Sequence, residues 1–429
     1  MKKFLTILLT VILTLALTAV LSACDADPVD NASPKGGHNA HTVGKDGTES
    51  VVFVAWDGAP ITTDGTYNLY LQSDLLCKNQ IVFGDVKQKR DITVNLCLNG
   101  HKWDSEGRAG YIADGVTLNI CNCSGNTSVI TGNGDVNSRH GGTFLVGVRG
   151  KLNIHEGIHV TTNNDDGSVT NGGVVYVRGY LGIYGATFTG VDTPRALKDD
   201  GETVDITTGW GGTIGVAGDA ELYMKSGVIS GGTAYIGGNV HLSTAALFTM
   251  EGGEITGGLS RDYHLNGKPV GGGNGGGVFV EGGTFIMKGD AKIYSNQCGG
   301  KGGGVILNGE AVMEIYDHAS VTYNVSGVSG GAGIHVNVDT CKLTVGGSAK
   351  VEGNRNSAGY ANVYLAASAV DITIAHDLED TASIGVTTQD TGFRTFTDAA
   401  APAAAFVSDS PHFELIANAN GTLALKPLT

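Results

Sequence analysis

A pair of apolar residues separated by a single position recurs along most of this chain. Ten such pairs follow one another at intervals of 24 to 41 residues, and no segment with helical spacing lies between them. Alternation with a period of two predicts short β-strands that bury one face. The pairs are Val94/Leu96, Leu118/Ile120, Leu152/Ile154, Leu181/Ile183, Leu222/Met224, Phe248/Met250, Phe285/Met287, Met313/Ile315, Leu343/Val345 and Ile372/Ile374.

Each pair belongs to a unit of three short strands. In one unit the apolar positions are Val278/Val280, then Phe285/Met287, then Ile293, and we call these the first, second and third strand. A unit this short cannot bury its apolar side alone, so neighbouring units must stack strand on strand at about 4.8 Å. The predicted fold is all-β: a single right-handed parallel β-helix of about ten rungs with N- and C-terminal caps.

Glycine and asparagine mark the predicted corners of the coil. The 68 glycines supply sharp turns in which a Cβ would not fit. Asn296, Asn324 and Asn354 each follow a third strand. We expect their side-chain amides to form a ladder of hydrogen bonds from rung to rung.

The N-terminus has the pattern of a targeting segment. Lys2 and Lys3 precede a long apolar run that ends in "LSAC" at Cys24, which resembles the lipobox of bacterial lipoproteins. This predicts a lipoprotein signal peptide over residues 1–23, acylation of Cys24, and anchoring of the chain to the outer face of the bacterial cell membrane. Ordinary secretory cleavage and a retained transmembrane helix are the alternatives that the sequence leaves open.

Composition and repeat boundaries divide the rest of the chain. Residues 24–50 are polar and have almost no apolar residues to bury, which predicts a flexible tether. Residues 51–93 are assigned to an N-terminal cap with the first strands, residues 94–375 to the parallel β-helix, and residues 376–429 to a C-terminal rung and cap. Caps are needed because an open rung exposes unpaired strand edges.

Longer stretches within the repeat carry a family resemblance. They include "VNLCLNGHKW", "LNICNCSGNTSVITG" and the rung "GGGVFVEGGTFIMKGDAKIYSN". Over about residues 65 to 425 the chain is similar to right-handed parallel β-helix (pectin-lyase-like) surface lipoproteins and other surface proteins of Gram-positive gut bacteria. The resemblance implies a cell-surface role, adhesive or carbohydrate-associated, and brings no established catalytic motif with it.

The charge balance bears on the class of partner. The formal net charge is -15, with 27 Lys and Arg against 42 Asp and Glu. An acidic chain without a basic cluster repels phosphate backbones, so we expect no nucleic-acid partner.

Three cysteines, Cys97, Cys121 and Cys123, are predicted to lie close together in neighbouring rungs of the coil. Cys97 and Cys121 each follow the second pair of neighbouring units, so they should stack as outward neighbours, and a disulfide between them is a candidate in an exported protein. The alternative is a zinc site of Cys97, Cys121 and Cys123 that adds Cys77 or His101. We predict neither a cofactor nor a metal for the chain.

The outward positions of the first strands form a row that holds several aromatic side chains. We call this set the outward row: Leu145, Tyr176, Gly215, His241, Phe279, Ile306, His335 and Tyr364. The row has no carboxylate or arginine, and the acids of the other strands, such as Glu251 and Glu254, are scattered. A glycosidase or lyase is expected to present convergent acids or charge-stabilised bases, so the row favours binding over cleavage.

Two long insertions leave the same corner, after the third strand. Residues 191–210 and 257–274 are separated by two rungs, so their tips are expected to meet and form a pocket. Aromatic rings in it would stack on a sugar, and charged side chains would serve as polar partners. The candidates are Trp210, Tyr263, His264, Arg261, Asp199 and Asp200, beside Tyr176 and His241 of the outward row.

The function that the sequence favours is adhesin-like binding of glycans or host surfaces without catalysis. The expected partners are the membrane, through the lipid anchor, and a polysaccharide, mucin glycan or host surface. A polysaccharide lyase or glycoside hydrolase of the pectin-lyase-like fold is one alternative, and an inert surface stalk is another.

Overall fold

The computed structural model describes residues 41–43, 49–51, 53–135, 139–164, 167–196, 198, 205–262, 264–265, 268–269, 273–327, 330–368 and 370–428. Within these ranges the units stack as predicted. Phe248 is paired in parallel with Phe285, and Phe285 with Met313. The same ladder pairs Leu181 with Leu222, so the register inferred from the repeat is confirmed. The fold is an all-β parallel β-helix.

The strands lie on three faces of the coil, and we call these faces the first, second and third sheet. First-sheet strands are Ile81–Phe83, Gly110–Ile112, Phe144–Val146, Val175–Val177, Ile214–Val216, Val240–Leu242, Val278–Glu281, Val305–Asn308, Ile334–Val336 and Val363–Leu365. Second-sheet strands are Gly65–Tyr70, Ile92–Cys97, Val116–Cys121, Lys151–His155, Leu247–Met250, Thr284–Met287, Val312–Ile315, Lys342–Val345 and Ile372–Ile374.

The third sheet completes each rung. Its strands are Leu75–Cys77, Trp103–Ser105, Ser128–Gly132, Ile158–Thr162, Glu254–Thr256, Lys292–Tyr294, Ser320–Thr322, Lys350–Glu352 and Phe406–Ser408. Two longer strands, Tyr180–Thr189 and Glu221–Ser230, run through both the second and the third sheet. Ser383–Thr388 pairs with a third-sheet strand at one end and with a first-sheet strand at the other.

A narrow outer sheet lies at the corner after the third strand. It consists of Asp192–Thr193, Thr233–Ala234, Leu259–Ser260, Gln297–Cys298, Val325–Ser326, Arg355–Asn356 and Gly359–Tyr360. The predicted insertions both start from this sheet, since Asp192 and Leu259 pair with the same intervening strand. Within the second insertion, His264–Leu265 pairs antiparallel with Lys268–Pro269.

Both ends of the coil carry further strands. At the N-terminal end Val54–Ala55 pairs with Gly65–Tyr70, and His41–Val43 pairs antiparallel with Glu49–Val51. At the C-terminal end a 3₁₀ helix, Ala403–Ala405, accompanies an antiparallel sheet. That sheet consists of Arg394–Thr395, Phe413–Ala417 and Leu423–Pro427. In the described part of the chain, no helix combines the length and apolarity that a membrane crossing requires.

The interior of the coil is a stack of apolar side chains. Phe248 and Phe285 lie parallel in adjacent rungs with ring centroids 4.8 Å apart, and both are fully buried. Turns at the corners are tight, as Gly172 shows: its φ is 58°, and a Cβ there would lie 2.4 Å from the carbonyl oxygen of Val175. Only glycine fits such a corner without strain.

The predicted asparagine ladder is present and is longer than the sequence indicated. Asn296 Nδ2 donates to Asn324 Oδ1 at 3.0 Å, and Asn324 Nδ2 donates to Asn354 Oδ1 at 2.9 Å. The ladder continues through Asn362 and ends at the carboxylate of Asp409, which accepts from the Asn362 side chain at 2.7 Å. Buried amides are thereby satisfied by one another along the corner.

Candidate functional site

The outward row is in register over the whole first sheet. Each member is paired with the next, so Tyr176 lies two rungs from His241, and His241 is followed by Phe279. The ladder continues to Ile306, His335 and Tyr364. The alignment inferred from the repeat is therefore confirmed.

The middle of the row is buried, although its residues point outward from the coil, while Leu145, Tyr176 and Tyr364 are partly buried. His241 and His335 are each 1% exposed, and Phe279 and Ile306 are buried as well. The chain that precedes the first strands runs beside the row and forms its own ladder of bridges through Asn171, Trp210, Ile236 and Asn274. Side chains from this ladder cover much of the row, because burying aromatic area stabilises the fold.

Trp210 is the largest of the covering residues. Its ring stacks on His241 with centroids 4.9 Å apart and planes 22° from parallel. It also packs in a cluster with Ile236 and Phe279. The indole Nε1–H has no hydrogen-bond acceptor among the described residues.

A groove opens where the covering side chains end. It encloses about 350 Å³, which lies within the range of small-ligand sites, roughly 300–1,000 Å³. Phe279 and Ile306 are outward residues of adjacent strands, so they form its floor. The residues that line the groove are Asn274, Phe279, Gly300, Lys301, Ile306, Asn308 and Asn337.

The two sides of the groove come from different parts of each unit. Asn274 and Lys301 belong to the segments that precede first-sheet strands, whereas Asn308 and Asn337 stand at or just after the ends of such strands. Asn337 Nδ2 donates to Asn308 Oδ1 at 2.9 Å, which holds one side together. Lys301 Nζ donates to Asn337 Oδ1 at 3.3 Å, so its side chain reaches from one side to the other.

Lys301 is half-buried, and its ammonium group is bonded to an amide rather than to an acid. No described carboxylate forms an ion pair with it. An ammonium group has three donor hydrogens, and the bond to Asn337 uses one of them.

His335 lies next to Lys301 and Asn337. Its Nδ1 accepts a hydrogen bond from the backbone N–H of Gly331 at 3.0 Å, and its ring stacks on Tyr364. Burial and, less strongly, the positive charge of Lys301 lower the pKa of His335 to about 3, although the hydrogen bond with the Asn337 side chain opposes the shift. The ring is therefore neutral at physiological pH, and the bond that Nδ1 accepts places its proton on Nε2.

A carboxylate lies one rung before the groove residue Asn308. Glu281 is paired with Asn308 across the first sheet, and its Oε2 lies 3.3 Å from Nε2 of the buried His241. The His241 side chain holds the pKa of Glu281 below its usual value. Glu281 is thus ionised, and its carboxylate lies against the side chain of His241.

The structure places the predicted pocket residues in two groups. Tyr176 and His241 belong to the outward row, which Trp210 covers in part, and Tyr176 stacks on His140 with ring centroids 4.3 Å apart. Arg261 is exposed and forms an ion pair with Asp192, which joins the bases of the two insertions at the outer sheet. Tyr263, Asp199 and Asp200 lie outside the described residues, and of His264 only the backbone is described. The predicted meeting of the insertion tips stays a prediction.

The acids of the other sheets are engaged within the fold. Glu251 accepts a hydrogen bond from Tyr223 at 2.7 Å and pairs with Lys288, and Glu254 accepts from Tyr294 at 2.6 Å. These contacts fit structural roles on a β surface.

The predicted disulfide between Cys97 and Cys121 is absent. Cys97 is not disulfide-bonded, and its Sγ lies 3.1 Å from Sγ of Cys123. The physical reason is that Cys97 and Cys121 are directly paired parallel neighbours, a poor orientation for a disulfide. Within the described ranges no group of three metal-ligating side chains forms, and the zinc alternative finds no support there. Cys24 lies outside the described residues.

Several groove residues were missed in the sequence. Asn308 and Asn337 occupy the position after the second apolar residue of a first strand, where Glu281 stands in the preceding unit. Comparing this one position between units would have found them. Lys301 and Asn274 lie in glycine-rich segments without any periodic signal, so only the fold brings them to the groove.

The chain matches no family model, no curated protein sequence and no solved structure. The case for a function therefore rests on the geometry of the groove.

Proposed function

We propose that this protein binds glycans at the groove, as a lipid-anchored, adhesin-like protein on the cell surface. The observation that carries the proposal is the groove itself, with an apolar floor between rows of side-chain amides. The groove lies at a different position from the expected insertion corner, but both adjoin the outward row, whose residue His241 is covered by Trp210.

The composition of the groove suits a sugar ring. The faces of a pyranose carry C–H groups that pack on apolar and aromatic surfaces, which Phe279 and Ile306 offer. The ring hydroxyls both donate and accept hydrogen bonds, and so do the amides of Asn274, Asn308 and Asn337. An apolar floor with a few placed polar groups is the usual make-up of a small-molecule site.

The groove is also rigid, which favours affinity. Its floor belongs to a parallel ladder, and its amide side is held by the bond between Asn337 and Asn308. A preformed site loses less conformational entropy on binding than a mobile one.

Surface display follows from the N-terminal signal. Acylation at Cys24 would attach many copies to one membrane, so that weak individual sites gain avidity toward a multivalent glycan. Since no carboxylate lines the groove among the described residues, we propose binding there rather than cleavage of a glycosidic bond.

A glycan array with the purified chain tests the proposal. We expect binding to a defined set of glycans, and we expect Phe279→Ala and Asn308→Ala to weaken it at least about tenfold, since each removes a buried contact. The control is Tyr323→Ala, which truncates an exposed ring outside the groove. Unchanged binding by both groove variants, with melting temperatures that match the parent, would rule the groove out.

A further inference from the structure

We propose that Lys301 makes the groove selective for saccharides that carry an anionic group, a carboxylate or a sulfate ester, over their neutral counterparts. This inference rests on the proposed glycan binding and assigns the feature of the ligand that the groove recognises.

The first observation is the state of the Lys301 ammonium group. It is half-buried at the groove, it donates to the Asn337 amide, and no described carboxylate pairs with it. Elsewhere in the described chain, Lys288 and Lys426 each pair with a glutamate. An ammonium group at a concave site, without an acid partner among the described residues, is suited to an anion from outside.

The second observation is the neighbouring imidazole. His335 is 1% exposed, and burial keeps its ring neutral beside Lys301. The Lys301 ammonium group therefore has donor hydrogens left for a ligand and no negative charge from this ring beside it, which suits carboxylate or sulfate oxygens better than a cation.

The nearest acid on the same sheet does not cancel this preference. Glu281 stands in the preceding unit, and its carboxylate lies against His241. The amides of Asn308 and Asn337 separate it along the strand ends from the Lys301 end of the groove.

The experiment compares matched neutral and charged sugars by isothermal titration calorimetry with the full chain. The probes are lactose, its 3′-sulfate and its 3′-sialylated form, together with a galactose trimer and the corresponding galacturonate trimer. The variants are Lys301→Met, which removes the charge, Lys301→Arg, which keeps it, and Phe279→Ala. Lys292→Met is the matched control, because Lys292 is an exposed lysine of the third sheet.

We expect at least one charged sugar to bind at least about tenfold more tightly than its neutral partner. Whether it is the sulfated sugar or one of the two carboxylate-bearing sugars shows which anionic group the groove prefers. Lys301→Met should remove this preference, Lys301→Arg should keep most of it, and Lys292→Met should leave it unchanged. Raising the salt from about 0.05 to about 0.5 M should weaken only the charged sugars.

Two results overturn the proposal in different ways. Equal binding of neutral and charged sugars, or a preference that survives Lys301→Met, refutes the selectivity and leaves the groove as the glycan site if Phe279→Ala abolishes binding. Binding that Phe279→Ala does not affect, or no binding by any probe, refutes both the selectivity and the glycan site itself.

Discussion

Trp210 stacks on His241 across two units of the coil, although the two residues hold different positions within their units. His241 is the outward residue of a first strand, whereas Trp210 stands before the preceding first strand. The rung between Tyr176 and His241 carries Gly215 in the row and so has no side chain of its own there. The indole supplies the aromatic surface that this rung lacks in the row.

Truncating this indole should destabilise the fold. We expect Trp210→Ala to lower the free energy of unfolding by about 2–3 kcal/mol, less than for a fully buried Trp, because Trp210 is only partly buried. Trp210→Phe should recover most of the loss, since it keeps a ring on His241. Urea denaturation followed by tryptophan and tyrosine fluorescence and by circular dichroism measures both variants, and equal stability of Trp210→Ala and the parent would contradict the role assigned to the stack.

The repeat was enough to predict which residues align along each sheet, but not which side chains cover the outward row. Alternation with a period of two specifies which residues share a face, so Leu181 with Leu222, and His241 with Phe279, were aligned correctly. Burial of His241 depends on Trp210 and Ile236, which lie in segments between strands where the chain has no periodic pattern. Periodicity distinguishes inward from outward residues and carries no information about what covers an outward one.

The lack of a periodic signal between strands also explains why the groove residues were not predicted. The asparagine ladder was predictable because Asn296, Asn324 and Asn354 occur at one position of successive units. Lys301 and Asn337 come from unlike positions and meet only because a rung returns the chain to the same corner. Convergence of this kind is a property of three-dimensional stacking, which spacing along the chain does not reveal.

The ladder makes a second prediction about stability. Asn324 accepts two bonds from Asn296 and donates to Ile293, Thr322 and Asn354. Asn324→Ala leaves these buried partners unsatisfied, so we expect a loss of about 3–5 kcal/mol in the free energy of unfolding. Asn126→Ala, at an exposed asparagine, should change it by less than about 0.5 kcal/mol. Comparable effects of the two substitutions in urea denaturation would refute the ladder.

The end of the ladder should respond to pH. Burial raises the pKa of Asp409 above its ordinary value near 3.8, although the bonds from Asn362 oppose the shift. The folded chain therefore holds this proton more tightly than the unfolded chain, so the contribution of Asp409 to stability is fully present below about pH 3.8 and falls as pH rises through the folded pKa. Asp409→Asn removes the titration. The stability of the variant relative to the parent should thus increase with pH from about 4 upward, as measured by urea denaturation at a series of pH values, and a difference independent of pH would contradict it.

The last prediction concerns the membrane anchor at Cys24. Cys24→Ala removes the thiol that acylation requires, and the attached acyl chains are the source of membrane affinity that the lipobox predicts. We expect the variant to accumulate with residues 1–23 still attached or to appear in the culture medium, whereas the parent sediments with membranes and incorporates labelled fatty acid. Ser22→Ala provides the matched control, since it changes a neighbouring residue and keeps Leu21 and the cysteine that is predicted to be acylated. Labelling and sedimentation of Cys24→Ala that equal those of the parent would show that another feature anchors the chain.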